Sequence, residues 1–282
     1  VAPPEARWQA IYEDLRGQIE RDELPPGARV PTEPELMERY GLSRGTVRQA
    51  LQQLESAGLV ASSGPGRAGR TVRDRTRIEF SMSKFELGAY TDDPTAGRDQ
   101  WKQGVEAAGW VPRQVVAGVD VLPATQQIAE WLQIPVGQDV VRRRRLRYVA
   151  NPDQGIDWAL AMIADTWTPY DIAEMQVNGV APLLSSDDVT LPGGIYHALG
   201  FRQVEFLDKI EVRMPTDDET DLMELLPGTP VGQHARIGVD QSGRRVRVLV
   251  QIWAGDRQVI TYDMPVPERR LPSTPQTPGS ER

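Results

Sequence analysis

Two groups of arginines carry most of the chemistry open to this chain, and they differ in spacing. Arg44 and Arg48 lie four apart at the start of a helical pattern, with Ser43, Gly45 and Thr46 beside them. Residues four apart share one face of a helix, and small neighbours let that face come close to another surface. A guanidinium fork there matches guanine O6 and N7, a contact worth about 1–3 kcal/mol of base discrimination. Local acids are few, which favours DNA over ion pairing for both. Ser43 reads more readily as a helix cap than as a base reader, and Thr46 either touches a phosphate or keeps the helix close to DNA. The second group is Arg142-Arg143-Arg144-Arg145-Leu146-Arg147. In a strand, parity sets Arg143, Arg145 and Arg147 on one side and Arg142, Arg144 and Leu146 on the other. One such row can face a cavity, where guanidinium forks suit a phosphate or carboxylate. Ion pairing to an acid on a neighbouring strand, such as Asp157, is an equally open reading.

The first group needs a helix that holds it outward. Val47, Ala50, Leu51 and Leu54 recur at helical spacing behind Arg44 and Arg48, and Ser43 can cap that helix by accepting an amide of its first turn. A shorter run with Leu36, Met37 and Tyr40 precedes it across Gly41-Leu42. Two short helices joined at a glycine, with arginines opening the second, are laid out as a helix-turn-helix. An amphipathic helix with Trp8, Ile11, Tyr12, Leu15 and Ile19 on one face comes before, closed by Pro25-Pro26-Gly27. After Gly58, Leu59–Ser62 and Thr71–Arg73 read as paired strands around SGPGRAGR, a basic hairpin or wing. Its Arg67 and Arg70 suit phosphates, contacts that add affinity but little sequence choice. Gly64, Gly66 and Gly69 also satisfy G-x-G-x-x-G, but a dinucleotide site needs a helix directly after the loop, and Thr71-Val72-Arg73 is strand-like.

A formal net charge of −8 over 282 residues argues against a nucleic-acid partner until it is mapped. Between Arg39 and Arg75, seven arginines stand against Glu55 and Asp74, and a basic face on one domain is what phosphate contact requires. The chain has no cysteine and two histidines, so disulfides and thiolate metal sites are excluded and a histidine metal site is not expected. No cofactor is expected. No apolar run has the length of a bilayer span and no signal peptide is evident, so the expected location is cytoplasmic, without membrane partners.

The second half echoes itself. Val115–Val121 reads as a strand, Pro123–Leu132 as a helix, Pro135-Val136-Gly137-Gln138 as a turn, and Val140–Val149 and Trp158–Trp167 as a hairpin. Later come the strand Ile210–Met214, the helix Asp217–Leu226 opened by a Thr216/Glu219 capping box, the repeated Pro230-Val231-Gly232-Gln233, and the hairpin His234–Asp240 with Arg245–Ala254. This spacing points to a duplicated α+β unit.

The segments LPPGARVPTEPEL (24 to 36), YGLSRGTVRQAL (40 to 51) and LESAGLV (54 to 60) resemble the winged helix-turn-helix of the GntR family of bacterial transcription regulators. The runs IAEWLQIPVGQDVVRRRRLRY, TDLMELLPGTPVG and VQIWAGDR resemble the UTRA effector domain of the HutC-like branch, whose fold is related to chorismate lyase. The resemblance implies an α+β chain with an antiparallel sheet in its second part. The implied layout is a DNA-binding domain at 7–74, a linker at 75–100, an effector-binding and dimerisation domain at 101–265 and a disordered tail at 266–282. It places DNA contacts on Arg44, Thr46 and Arg48, with the wing glycine near Gly66, and effector contacts on Arg145 and Arg147. The expected DNA set also takes in Ser43, Gly45, Arg67 and Arg70, and the expected effector set Arg143, Arg247 and Trp253. Two departures stand out: Pro34 replaces a common arginine, and Arg247 stands where relatives carry a pocket glutamate, which implies either a third cation for a more anionic ligand or a vestigial pocket. The expected partners are double-stranded DNA, a small polar or anionic effector and a second copy of the chain, and the expected action is repression. An all-helical acid-sensing second domain, or an enzyme fused to the DNA-binding domain, are the alternatives; no catalytic constellation supports the latter.

Overall fold

Helix α1 (Pro4–Glu20) brings Ile11 and Leu15, both fully buried, onto two further helices that follow a short strand β1 (Arg29–Val30). The computed structural model describes residues 4–62, 69–73, 78–81, 100–154 and 156–262. Helix α2 (Glu33–Tyr40) is closed at its start by Thr32, whose amide donates to Glu35 Oε2 at 2.6 Å, and at its end by Gly41. Gly41 has φ +63, the left-handed conformation that glycine adopts without a Cβ penalty, and this turns the chain into α3 (Arg44–Ser56). There Ser43 Oγ accepts from the Thr46 amide. Val47, Ala50, Leu51 and Leu54 of α3 join Ile11, Leu15 and Leu36 in one core, so the helical periodicity is spent on packing. Tyr40 donates to Asp14, which also accepts from Gln18, pinning α2 to α1. Strands β2 (Val60–Ser62) and β3 (Arg70–Val72) complete an antiparallel sheet in the order β1-β3-β2. Gly69 leads into β3 and not into a helix, which disposes of the dinucleotide pattern; Gly64, Gly66 and Arg67 lie outside the described residues.

Within the stretch expected to be a linker, Ile78–Ser81 forms β4. It pairs in parallel with β11 (Gln258–Thr261), starting with the Ile78 amide on the Arg257 carbonyl at 2.9 Å. Just before it, Arg73 leaves β3 and reaches across. It donates to Thr229 Oγ1 at 2.6 Å and to the Pro227 carbonyl at 2.9 Å, and it stands 3.4 Å from Asp256. The two halves of the chain are therefore joined by an almost buried arginine and a strand ladder.

The second half is built on a six-stranded antiparallel sheet in the order β5-β6-β7-β10-β9-β8. Its strands are β5 (Val111–Pro123), β6 (Asp139–Asn151), β7 (Ile156–Pro169), β8 (Gln203–Arg213), β9 (Val231–Asp240) and β10 (Arg245–Ala254). That sheet rules out the all-helical alternative. Helix α4 (Gln100–Ala107) buries Trp101 and Val105, and α5 (Gln126–Leu132) packs Ile128, Trp131 and Leu132 against Val140, Ile163, Val248 and Val250. Short helices α6 (Tyr170–Ala173) and α7 (Ile195–Ala198) bracket a long connection that caps a separate cluster around Val141, Leu183, Tyr196 and Val246. Helix α8 (Asp217–Leu222) follows β8.

The sheet reads as two three-stranded copies joined at β7 and β10. Their correspondence is not the one suggested by the repeated Pro-Val-Gly-Gln. Thr125 caps α5 as Thr216 caps α8, and Gln133 and Glu224 both take a left-handed φ, of 55 and 48. Gly137 and Gly228 follow each at the same interval, with φ +84 and +76. Ile134 donates to Ala129 just as Leu225 donates to Thr220. The first Pro-Val-Gly-Gln is a turn, whereas the second already runs into β9, where Gly232 faces the ring of Trp253. Equivalent positions lie ninety-one apart, which sets Arg143 against His234 and Arg145 against Arg236.

Candidate functional site

The first site is the start of α3. Its buried side faces the core, so Arg44 and Arg48 project outward, with side chains 71% and 60% exposed. Gly45 is exposed beside them and Thr46 half-buried, its hydroxyl 3.0 Å from Ser43 Oγ. Ser43 is thus a cap whose oxygen is already engaged. The unsatisfied amides of the first turn add a partial positive charge there. One acid was missed by the reading that found few nearby: Glu33, at the start of α2. Arg44 Nε donates to it at 2.7 Å and Arg48 Nε lies 3.5 Å away, so both arginines fan from one carboxylate. Sequence distance hid it, because the tight turn at Gly41 folds α2 back beside α3. The Arg44 hydrogen bond is the main cause holding the Glu33 carboxyl below the usual range, with Arg48 adding to it. Arg70, read as a phosphate contact, donates instead to Glu55 Oε1 at 2.8 Å, which also accepts from Ser62.

The second site is one face of the large sheet. Residues directly opposite in antiparallel strands share a face, and three rows can be followed across all six strands. They run Val119–Arg143–Thr166–Leu249–Arg236–Asp208, then Val116–Arg145–Ala164–Gln251–His234–Ile210, then Gln114–Arg147–Met162–Trp253–Gly232–Val212. The parity split of the arginine run is as expected, and the two rows have different fates. On the other face, Arg144 forms a two-pronged pair with Asp165 at 2.9 and 2.7 Å, and Arg142 donates to Asp120 at 2.7 Å. Ion pairing to acids on a neighbouring strand therefore holds for that row, whereas Arg145 of the first row stands 3.9 Å from Asp188, which is on no strand. The acids of the paired row are Asp165 and Asp120 and not Asp157, which lies beyond the arginine run, next to Ile156, the partner of Asn151.

Arg143 is 1% exposed. Its Nη2 donates to the Asp187 carbonyl, while Nε and Nη1 are buried without a partner. Burial, reinforced by Arg145, pulls its guanidinium down to about 10. Arg145 donates to Thr166 Oγ1 at 3.3 Å, and its buried Nε has no hydrogen-bond partner. Arg147 donates to Gln114 Oε1 at 2.8 Å and stacks over Trp101, with 5.1 Å to the ring centre. Gln114 in turn donates to Asp188, which also pairs with Lys102 at 3.3 Å and stands 3.9 Å from Arg145. Arg247 lies 5.2 Å from the centre of the Tyr196 ring and donates to Gln203 at 2.8 Å. Tyr196, whose hydroxyl meets Thr168 at 2.6 Å, sits within electrostatic reach of Arg247, Arg145 and Arg143. The structure thus gathers Arg143, Arg145 and Arg247 around one tyrosine. Trp253 is buried two strands across from Arg147, against Gly232. Lys102, Gln114, Tyr196 and Asp188 were not legible as neighbours, because they come from four separate elements. Among the described residues, no group of three or more potential ligands is placed to hold a metal ion, and no helix is long and apolar enough to cross a membrane.

Residues 8–67 match the family model described as bacterial regulatory proteins, gntR family. Over its length the chain is 27% identical to an uncharacterized HTH-type transcriptional regulator of Streptomyces coelicolor, covering 96% of this chain and 97% of that one. It is 30% identical to the HTH-type regulator YurK of Bacillus subtilis over 61% of this chain and 67% of that protein. Identity is 26% to the mannosyl-D-glycerate transport/metabolism system repressor MngR of Escherichia coli, over 84% and 87%. Among solved structures, a GntR-family regulator superposes with a TM-score of 0.57 at 22% identity, over 92% of this chain and 98% of that one.

Proposed function

The chain belongs to the GntR family of bacterial regulators, and on that premise we propose that it represses transcription from a palindromic operator, bound by a homodimer, until a small anion occupies its second domain. The observation that carries the DNA reading is α3 itself. It is a capped helix whose first two turns present Arg44, Gly45, Thr46 and Arg48 outward while its other face is fully packed. Such a terminus fits the major groove, and one short helix reads few base pairs, so two copies on a symmetric site supply specificity. In this reading residues 7–74 bind DNA, with Gly66, Arg67 and Arg70 on a wing along the backbone. Residues 75–100 connect, 101–265 bind the effector and pair the copies, and 266–282 form a tail. Repression is favoured by the similarity to MngR, whose name declares it a repressor. A cytoplasmic location follows from the role.

The effector half rests on the orphaned donors of Arg143 and Arg145, which an oxyanion would satisfy, with Arg147, Arg247 and Trp253 around it. The edge strand β8, with Ile210 53% and Val212 73% exposed, suits contact between copies. Fluorescence anisotropy with labelled genomic fragments upstream of the gene tests the proposal. Each of Arg44→Ala and Arg48→Ala should weaken operator binding by about 10- to 100-fold, the equivalent of a lost bidentate contact, with two chains bound per operator. Intact operator binding in both variants, or saturation at one chain, refutes it.

A further inference from the structure

The two copies within the sheet give their basic residues different counter-ions. In the second copy, Arg236 donates to both oxygens of Asp208 at 2.7 Å, and His234 Nε2 lies 2.9 Å from the same carboxylate. Asp208 belongs to β8 and is a fixed part of the ladder. The equivalent residues of the first copy are Arg143 and Arg145, and the neighbouring strand β5 sets Val119 and Val116 opposite them. Among the described residues, the acid that reaches this pair is Asp188, on the connection between α6 and α7. It reaches only partway. Asp188 accepts from Gln114 Nε2 at 3.0 and 3.1 Å and from Lys102 Nζ at 3.3 Å, yet stays 3.9 Å from Arg145 Nε. Three buried guanidinium donors, Arg143 Nε and Nη1 and Arg145 Nε, remain without a partner. Leaving buried donors unmet is costly, and the fold tolerates it at the place where the other copy built in a carboxylate.

We propose that Asp188 is a built-in stand-in for the ligand's anion: it occupies the basic cluster in the unliganded chain and is displaced when a compact oxyanion, phosphate or carboxylate, reaches Arg143 and Arg145. The proposal deepens the effector site above and rests on it. It also supplies a route outward. Asp188 ties the α6–α7 connection to Lys102 on α4, and α4 is the first described element after β4, the strand that joins the two halves. Displacing Asp188 therefore releases α4 from the connection that covers the site.

Isothermal titration of the full-length protein at low ionic strength, with inorganic phosphate and separately with malonate, tests this. The two probes distinguish a tetrahedral anion from paired carboxylates. Asp188→Asn keeps the size and removes the competing charge 3.9 Å from Arg145, so at least one probe should bind about tenfold more tightly, within what the attraction of unit charges about 4 Å apart supplies between water and a protein surface. Asp187→Asn should change binding less than twofold, because Asp187 serves Arg143 through its backbone carbonyl. Unchanged or weaker binding by Asp188→Asn, with wild-type binding abolished in Arg145→Ala, overturns the stand-in role and leaves the anion site standing. Absence of binding by wild type and both asparagine variants overturns the anion site, and the stand-in with it.

Discussion

Glu33→Gln should make the protein bind DNA more tightly at operator and non-operator sites alike. In the free chain Glu33 holds Arg44 at 2.7 Å and stands 3.5 Å from Arg48, while both guanidinium groups remain largely exposed. Exposed ion pairs of this kind are each worth about 0.2–1 kcal/mol. Any DNA complex that uses these arginines must loosen the pairs, and it also brings the Glu33 carboxylate toward the phosphate backbone. That repulsion is about 0.6 kcal/mol for unit charges some 7 Å apart in water, less with salt. Together the two effects come to roughly 1 kcal/mol, a factor of about five. The cost falls on operator and random sequence alike, so in the proposed DNA complex Glu33 lowers affinity for both without choosing between them. The assay is anisotropy with operator and scrambled duplexes over a salt series. Binding to scrambled DNA should tighten about fivefold, and its salt slope should steepen by about one phosphate equivalent as a freed arginine takes a phosphate. Operator affinity should rise by a similar factor, so the specificity ratio holds. Unchanged scrambled binding with weakened operator binding would refute this reasoning, since it would make Glu33 a contributor to the bound state.

The first domain was legible because its signals are local. A cap, a helical stripe and a glycine turn each involve residues within a few positions, and Ser43, Val47, Leu51 and Gly41 act in the structure as their types suggest. The Glu33 fan is non-local in that same domain, and it escaped. In the second domain, parity correctly divided the arginine run, because a strand's alternation depends only on the backbone. Which acid meets which arginine depends on register, and nothing in the run itself says that Asp165 and Asp120, and not Asp157, fall opposite it. The repeated Pro-Val-Gly-Gln shows the limit most clearly. Four identical residues suggested a duplication that exists, but they marked the wrong alignment of its halves. The physically constrained positions, the capping threonines and the left-handed residues after each short helix, hold the true correspondence. Local identity is cheap, whereas a backbone conformation that must recur is not. Arg143 meets Asp187 on the α6–α7 connection, and the neighbouring Asp188 draws in Gln114 of β5 and Lys102 of α4, so only the folded chain could assemble them.

Two further outcomes follow from contacts that the sequence could not reveal. Arg73→Ala removes every side-chain contact by which β3 grips Thr229, Pro227 and Asp256. With a guanidinium only 10% exposed, the loss should be about 2–3 kcal/mol. It falls on the junction and not on either core, so scanning calorimetry should split one transition into two while Arg44-dependent operator binding survives; a single transition at the wild-type temperature would show that Arg73 couples nothing. Asp208→Asn tests the built-in counter-ion. Burial would raise the Asp208 carboxyl, but the hydrogen bonds and charges of Arg236 and His234 outweigh it, so its pKa is well below the ordinary carboxylate value. A depressed folded-state pKa contributes stability that is fully present above about pH 4, the unfolded value, and is lost as pH falls below it. Replacing the carboxylate removes the two-pronged partner of Arg236, 4% exposed, and breaking a buried pair typically costs about 3–5 kcal/mol. Urea titrations at pH 7 should therefore separate Asp208→Asn from wild type by several kcal/mol, and the gap should hold down to about pH 4 and narrow only below it, toward pH 3. A gap that stays constant between pH 7 and pH 3 would mean that the carboxylate's charge is not what holds β8 to β9, and that shape or hydrogen-bonding capacity alone does so.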